Sequence, residues 1–262
     1  MSQRLDVAMV ERGLVPTRSK AQALIMAGVV RVGERTAQKA GEPVGADSLV
    51  SIAKAPRFVS RGGEKLDRAL TAFGIDLEGN ICADIGASTG GFTDVMLQHD
   101  AQTVYAIDVG YGQIALELRN DPRVVVMDRT NARYLESLPQ PVDFTAIDAS
   151  FISLSKLFPA VVRISRPGAA LVALVKPQFE AGRGEVGKHG VVRDRTVHVR
   201  VLHEVIASAA EHDLQLAGLT ASPIKGPAGN VEFLGYFLHT ERPDPTLDLS
   251  AAIDSALSEA PQ

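Results

Sequence analysis

The chain is poor in cysteine, in long apolar runs and in metal-binding clusters, and each shortage removes a class of protein. Its one cysteine, Cys82, has no partner for an intramolecular disulfide. Lying in the apolar run Ile81-Cys82-Ala83, it reads as a buried structural thiol. A disulfide-stapled secreted scaffold is excluded, and the reducing cytoplasm is the expected compartment. No apolar stretch approaches the roughly 20 residues that a membrane helix needs. Residues 1–25 mix Arg4, Asp6, Glu11, Arg12 and Arg18 among their apolar positions, so neither a span nor a secretion signal is expected. No His/Cys group has ligand spacing, so no metal is expected. His99, His198, His203, His212 and His239 read as packing or helix-surface residues.

What is present is material for one sizeable core and one small extra module: 262 residues, 45% apolar and 22% charged. The net charge of −4 hides an asymmetry, because residues 1–60 carry nine Lys/Arg against five Asp/Glu, leaving −8 for the remainder. A basic head on an acidic body points to a nucleic-acid partner for the head. Within it, Leu5, Ala8 and Met9, then Ala21, Leu24 and Ile25, recur at helical spacing, while 29–33 and 49–52 read as short strands. Thr17 suits the start of the second helix and Gly28 its end. Arg18 and Lys20 would then oppose the helix dipole in its first turn, a local cost that suggests they face phosphate.

Pro56 and Gly62 mark a linker at about 54–62, which divides a 1–60 domain from a 63–240 domain. Beyond it, strands are expected near 81–86, 103–108, 123–127, 142–147, 169–175, 215–222 and 231–239. Helices are expected near 63–74, 91–99, 112–119, 151–165 and 192–212. Such alternation specifies an α/β doubly wound sheet, mostly parallel and covered on both faces. Residues 241–262 carry five Asp/Glu against Arg242 and are expected to be a weakly packed acidic tail, with 249–257 able to form one short helix.

Asp84-Ile85-Gly86-Ala87-Ser88-Thr89-Gly90-Gly91-Phe92-Thr93 falls between an expected strand and helix, where such a sheet binds nucleotide-like ligands. Asp108 ends the next strand, placed to accept hydrogen bonds from two ribose hydroxyls, and Asp128 follows the third. The loop lacks the second glycine of the dinucleotide fingerprint and the lysine of a phosphate loop. It does match the G-x-S-x-G elbow of α/β-hydrolases, with Asp148 and His189 or His198 in the right chain order. That elbow follows several earlier strands, however, whereas this strand is the first of its sheet.

Four charges abut apolar runs: Lys65 on the first helix, Asp148 after Phe-Thr-Ala-Ile, Lys176 after Leu-Val-Ala-Leu-Val, and Glu232 before Phe-Leu-Gly-Tyr-Phe. Such placement carries a desolvation cost unless the charges pair. Together with the glycine loop, the four resemble the Lys-Asp-Lys-Glu tetrad of the FtsJ-type ribose 2′-O-methyltransferases, which bind S-adenosylmethionine on a seven-stranded Rossmann-like sheet. The N-terminal segment, Arg4-Leu5-Asp6, 17–25 and 28–33, resembles the RNA-binding module named after small-subunit ribosomal protein four. With Ser60-Arg61-Gly62-Gly63-Glu64-Lys65-Leu66, Asp148-Ala149-Ser150-Phe151-Ile152-Ser153 and Val175-Lys176-Pro177-Gln178-Phe179-Glu180, the whole chain resembles the TlyA-type ribosomal RNA methyltransferases.

The resemblance implies methylation of a cytidine 2′-hydroxyl in ribosomal RNA or a ribosomal subunit. It makes Lys65, Asp148, Lys176 and Glu232 the expected catalytic residues, with Lys176 as proton acceptor. Asp84, Gly86, Ser88, Thr89, Gly90, Gly91, Phe92, Asp108 and Asp128 become the expected cofactor residues. Arg4, Arg18, Lys20 and Arg61 are expected to bind RNA, as are Arg183 and Lys188 in the glycine-rich basic loop 177–190. A non-catalytic RNA-binding assembly factor and a membrane-lytic haemolysin, the first label of some members, remain as alternatives. The complete tetrad weakens the first, and the absence of a basic amphipathic helix weakens the second.

Overall fold

The computed structural model describes residues 2–26, 28–37, 39–53, 57–182, 184–187, 189–242 and 247–261. It divides into two units, Met1–Arg57 and Phe58–Gln262.

The first unit contains β1 (Ser2–Arg4), α1 (Leu5–Glu11), α2 (Arg18–Met26), β2 (Val30–Val32), β3 (Arg35–Thr36), β4 (Pro43–Gly45) and β5 (Val50–Ile52). Leu5, Ala8 and Met9 from α1 meet Ala21 and Ile25 from α2 over Val30, Val44 and Val50. β3, β2 and β5 form one small antiparallel sheet, and β1 pairs with β4 in a second that periodicity did not reveal, because three-residue strands are too short to alternate visibly. The Thr17 hydroxyl accepts the Lys20 amide at 3.2 Å, starting α2 as expected. The first-turn cations are answered locally. Asp6, fully buried, accepts hydrogen bonds from Arg4 at 3.0 Å, Arg18 at 3.1 Å and Gln22 at 2.9 Å. The Arg4 guanidinium, with Gln22 and Arg18, holds this carboxyl well below the usual carboxylate range.

The second unit runs α3 (Gly62–Phe73), β6 (Ile81–Ile85), α4 (Gly91–Gln98), β7 (Thr103–Ile107), α5 (Leu116–Arg119), β8 (Val124–Met127), β9 (Val142–Ile147), α6 (Phe158–Ile164), β10 (Ser165–Val175), α7 (Pro177–Glu180), α8 (Arg195–Ala210), β11 (Leu214–Ala221), β12 (Phe233–His239) and α9 (Leu249–Glu259). Its seven strands lie in the order β11-β12-β10-β9-β6-β7-β8. All neighbouring pairs are parallel except those made by β12, which runs against both β10 and β11. The near-continuous apolar strands are buried on both faces, as a doubly wound sheet requires. Cys82 is buried in β6, and desolvation pushes its thiol far up.

Three expectations need correction. The helix expected over 112–119 contracts to α5, since Gly110 and Gly112 disfavour a longer one. The helix expected over 151–165 is a 3₁₀ turn at Leu154–Lys156 followed by α6, with Pro159 near the N-terminus of α6. The tail is not weakly packed. α9 is capped by Asp248, buries Ile253 and Ala256 in the main core, and its Glu259 accepts the Thr220 hydroxyl at 2.6 Å. Its apolar 3.6-residue stripe outweighed the acidic composition.

Candidate active site

The carboxyl ends of β6, β7, β9 and β10 form one edge of the sheet, and the antiparallel β12 brings its amino end to the same edge. Residues just after β9 and β10 therefore meet residues just before β12. Lys176 donates to Asp148 at 2.6 Å and to the Ser150 hydroxyl at 3.0 Å. Lys65, from the first turns of α3, donates to Glu232 at 2.6 Å. Lys65, Lys176 and Glu232 are 7%, 7% and 1% exposed, so these pairs sit where a lone charge would be costly. Gln178 donates to the second oxygen of Glu232 at 3.4 Å, and its own carbonyl oxygen is buried without a partner. The structure thus gathers the four expected residues as two ion pairs.

Two adjoining cavities open beside them, sharing Gly86, Ser88 and Asp148. One, of about 260 Å³, is lined by Ser60, Arg61 and Lys65, by the loop residues Asp84, Gly86, Ser88, Thr89, Gly91 and Phe92, and by Ile224, Lys225 and Pro227. The other, of about 430 Å³, runs past Asp108, Val109 and Asn131 to Phe151 and Leu157. The loop can line both because Gly86 has φ +87°, and a Cβ there would come 2.7 Å from the Asp148 carbonyl oxygen.

The expected cofactor residues separate into three positions. Asp84 is fully buried and accepts both the Thr93 amide (2.9 Å) and hydroxyl (2.6 Å), leaving its other oxygen unpartnered. Burial lifts its carboxyl to about 7, against the pull of Thr93. Asp108 takes the Ser88 amide at 2.8 Å and the Gly110 amide at 2.6 Å, fastening the loop to the end of β7. Asp128 is on neither cavity wall. It pairs with Arg119 at 3.0 Å, which lowers its pKa. Gly90 is also set back, packed against Leu118.

The hydrolase arrangement is not assembled. The Ser88 hydroxyl contacts Gln113 at 3.3 Å, and His198 is buried against Phe233 with its ring nitrogen on the Val192 carbonyl. Of the expected RNA-binding residues, Arg4 and Arg18 are committed to Asp6, Lys20 is exposed, and Arg61 lines the smaller cavity. Arg183 and Lys188 lie outside the described residues.

Sequence reading passed over Ser150, Gln178, Phe151 and Lys225. The first three lie within three residues of a tetrad member in the sequence, a signal that could have found them. Phe151 is 90% exposed with φ +62°, its ring 4.9 Å from Phe179. Lys225, a lone lysine in a connection, carried no signal.

Comparison with known proteins agrees with this geometry. Residues 58–237 match the FtsJ-like methyltransferase family and residues 3–50 the S4 domain. The chain is 50% identical over 240 residues to YqxC of Bacillus subtilis, named as a candidate rRNA methyltransferase, covering 88% of this chain and 84% of that one. It is 46% identical to the 16S/23S rRNA (cytidine-2′-O)-methyltransferase TlyA of Mycobacterium tuberculosis, over 98% of both. A solved Streptococcus thermophilus chain, named as a candidate hemolysin, superposes with a TM-score of 0.76 at 42% identity, covering 98% of this chain and 96% of that one. A complete tetrad, a glycine loop on the first strand and full-length identity of this order have one reading: the chain belongs to the FtsJ-like methyltransferases, in the TlyA-type branch of ribosomal RNA ribose 2′-O-methyltransferases that carry an S4 domain.

Proposed function

We propose that the chain methylates the 2′-hydroxyl of a cytidine in ribosomal RNA, using S-adenosylmethionine and docking on folded RNA through its first unit. The observation that carries this reading is the pairing of Lys176 with Asp148 and of Lys65 with Glu232, with Asp148 and Lys65 lining a groove beside the glycine loop.

The groove fits that cofactor chemically. The unpartnered Asp84 oxygen can accept from an ammonium, Asp108 stands at the far end for ribose hydroxyls, and Ile107, Ile152 and Leu157 offer an apolar wall for a base. When bound, the cofactor supplies a methyl group on a sulfonium.

A ribose hydroxyl attacks such a methyl only as its proton leaves. The Lys176 amine takes that proton. The Asp148 carboxylate and Ser150 hydroxyl fix the nitrogen's position, so the acceptor is already oriented when substrate arrives. Lys65, held by Glu232, stabilises negative charge developing on the attacking oxygen. The first unit presents Lys20 and the outer faces of Arg4 and Arg18 to phosphate. This suits recognition of backbone shape rather than base sequence.

The test is incorporation of labelled methyl into purified ribosomal subunits, followed by mapping of 2′-O-methyl positions. One or a few modified cytidines are expected, and none with Lys176→Ala. Modification at a base atom, or none on either subunit, would overturn the reading.

A further inference from the structure

The smaller cavity holds an imbalance of charge that the tetrad does not use. Lys65 is answered by Glu232, Asp148 by Lys176, and Asp84 is bonded to Thr93. Two cations on its wall, Arg61 and Lys225, make no ion pair or side-chain hydrogen bond among the described residues.

Lys225 is not a loose surface lysine. The connection from β11 to β12 that carries it is tied down on both sides. Ser222 donates its amide to the Glu232 carbonyl at 2.9 Å and its hydroxyl to the Ile224 carbonyl at 2.6 Å. The Gly226 amide reaches the Asn230 carbonyl at 2.9 Å, and the Asn230 side chain binds the Gly190 carbonyl and the Val192 amide. Gly226 packs so closely on Glu232 that a Cβ would fall 2.5 Å from Oε1. The connection that carries Lys225 is therefore held in one piece with the tetrad, and Lys225 lines the same cavity as the loop residues Gly86, Ser88, Thr89, Gly91 and Phe92.

We propose that Lys225, with Arg61, binds the α-carboxylate of the cofactor's amino-acid end. This rests on the cofactor reading above and adds the half of that ligand left without a partner. A zwitterionic head entering this cavity brings an ammonium, which the free oxygen of Asp84 accommodates, and a carboxylate, whose desolvation must be met by cationic donors. Arg61 offers a planar fork and Lys225 a point charge, both lining the cavity. An RNA phosphate is the less favoured occupant, because the cavity is shared with the glycine loop and the buried end of α4.

Calorimetry on the full chain with the thioether product of methyl transfer and a truncated analogue tests this. S-adenosylhomocysteine carries the amino-acid head, and 5′-methylthioadenosine lacks it. Lys225→Ala is expected to weaken S-adenosylhomocysteine about tenfold while changing methylthioadenosine by less than about twofold, and Lys225→Arg to recover most of the loss. Equal weakening of both ligands, or no change in either, overturns the proposal. Unchanged ligand binding with weakened ribosomal RNA binding assigns Lys225 to phosphate and also overturns it. If the wild-type chain binds neither ligand, the cofactor reading fails first and this proposal falls with it.

Discussion

Both units bury charge, and they do so in opposite ways. In the first, Asp6 is enclosed by Arg4, Arg18 and Gln22, with both carboxylate oxygens hydrogen-bonded. In the second, the charges are paired but the shell is incomplete: an Asp84 oxygen and the Gln178 carbonyl are buried without partners, and Arg61 and Lys225 have no counter-ion among the described residues. A saturated cluster holds a fold together, whereas an unsaturated one beside a groove is set up for something that arrives later.

The sharpest way to break this contrast is Lys176→Arg. Guanidinium keeps the charge and the bond to Asp148 but gives up no proton near neutral pH. Single-turnover methyl transfer should fall by about a thousandfold, with cofactor and RNA affinity nearly unchanged. An arginine variant that keeps most of its rate would make Lys176 an electrostatic clamp.

Asp6→Ala should instead leave the groove intact. It strands two guanidinium groups, each about half exposed, and should destabilise the first unit by about 2 kcal/mol, read by urea unfolding, while cofactor binding persists. The pH dependence has a definite sign. The folded-state pKa of Asp6 is depressed, so its stabilisation is present above the unfolded carboxylate value and is lost only as pH falls through the folded one, in strong acid.

Asp84 should behave oppositely. Its pKa is raised to about 7, so the folded state binds the proton more tightly, and its contribution to stability declines as pH rises from about 4 to about 7. Relative to wild type, Asp84→Asn should remove that decline, gaining in melting temperature at pH 8 and little at pH 4. A difference between the two proteins that is flat with pH would contradict the buried, uncompensated carboxyl. The smallest effect is expected from Lys20→Glu. It should weaken ribosomal RNA binding a few-fold, more at low salt than at high, with unchanged melting, because Lys20 supports no buried partner. Arg18→Glu should weaken binding and stability together, because it also opposes Asp6.

The alternation of strands and helices, the tetrad and the glycine loop were legible because each is written in local pattern: apolar runs ended by a charge, and glycines at a strand-to-helix turn. Pairing across the chain was not. Nothing local joins Lys65 to Glu232 rather than to Asp148, and Arg18, read as a cation awaiting phosphate, is answered by a carboxylate twelve residues earlier. Asp128 was read as a cofactor residue from its place after a strand, and the ion pair it makes with Arg119, nine residues earlier, was not legible in that pattern. Lys225 depends on a turn whose geometry comes from Ser222, Gly226 and Asn230, which no periodicity encodes. α9 was understated because acidic composition and apolar stripe pointed in different directions.

The reversed strand β12 also sets a biosynthetic order. The glycine loop and the residues from Lys65 to Lys176 emerge first, but Glu232 reaches the sheet edge only when β12 inserts between β10 and β11. A chain still being synthesised up to β11 has every parallel strand and three of the four charges, yet leaves Lys65 without its counter-ion. The four-residue cluster is therefore closed by the last strand of the sheet in chain order, and any fragment ending before β12 would keep the glycine loop and three of the charges yet lack the second ion pair.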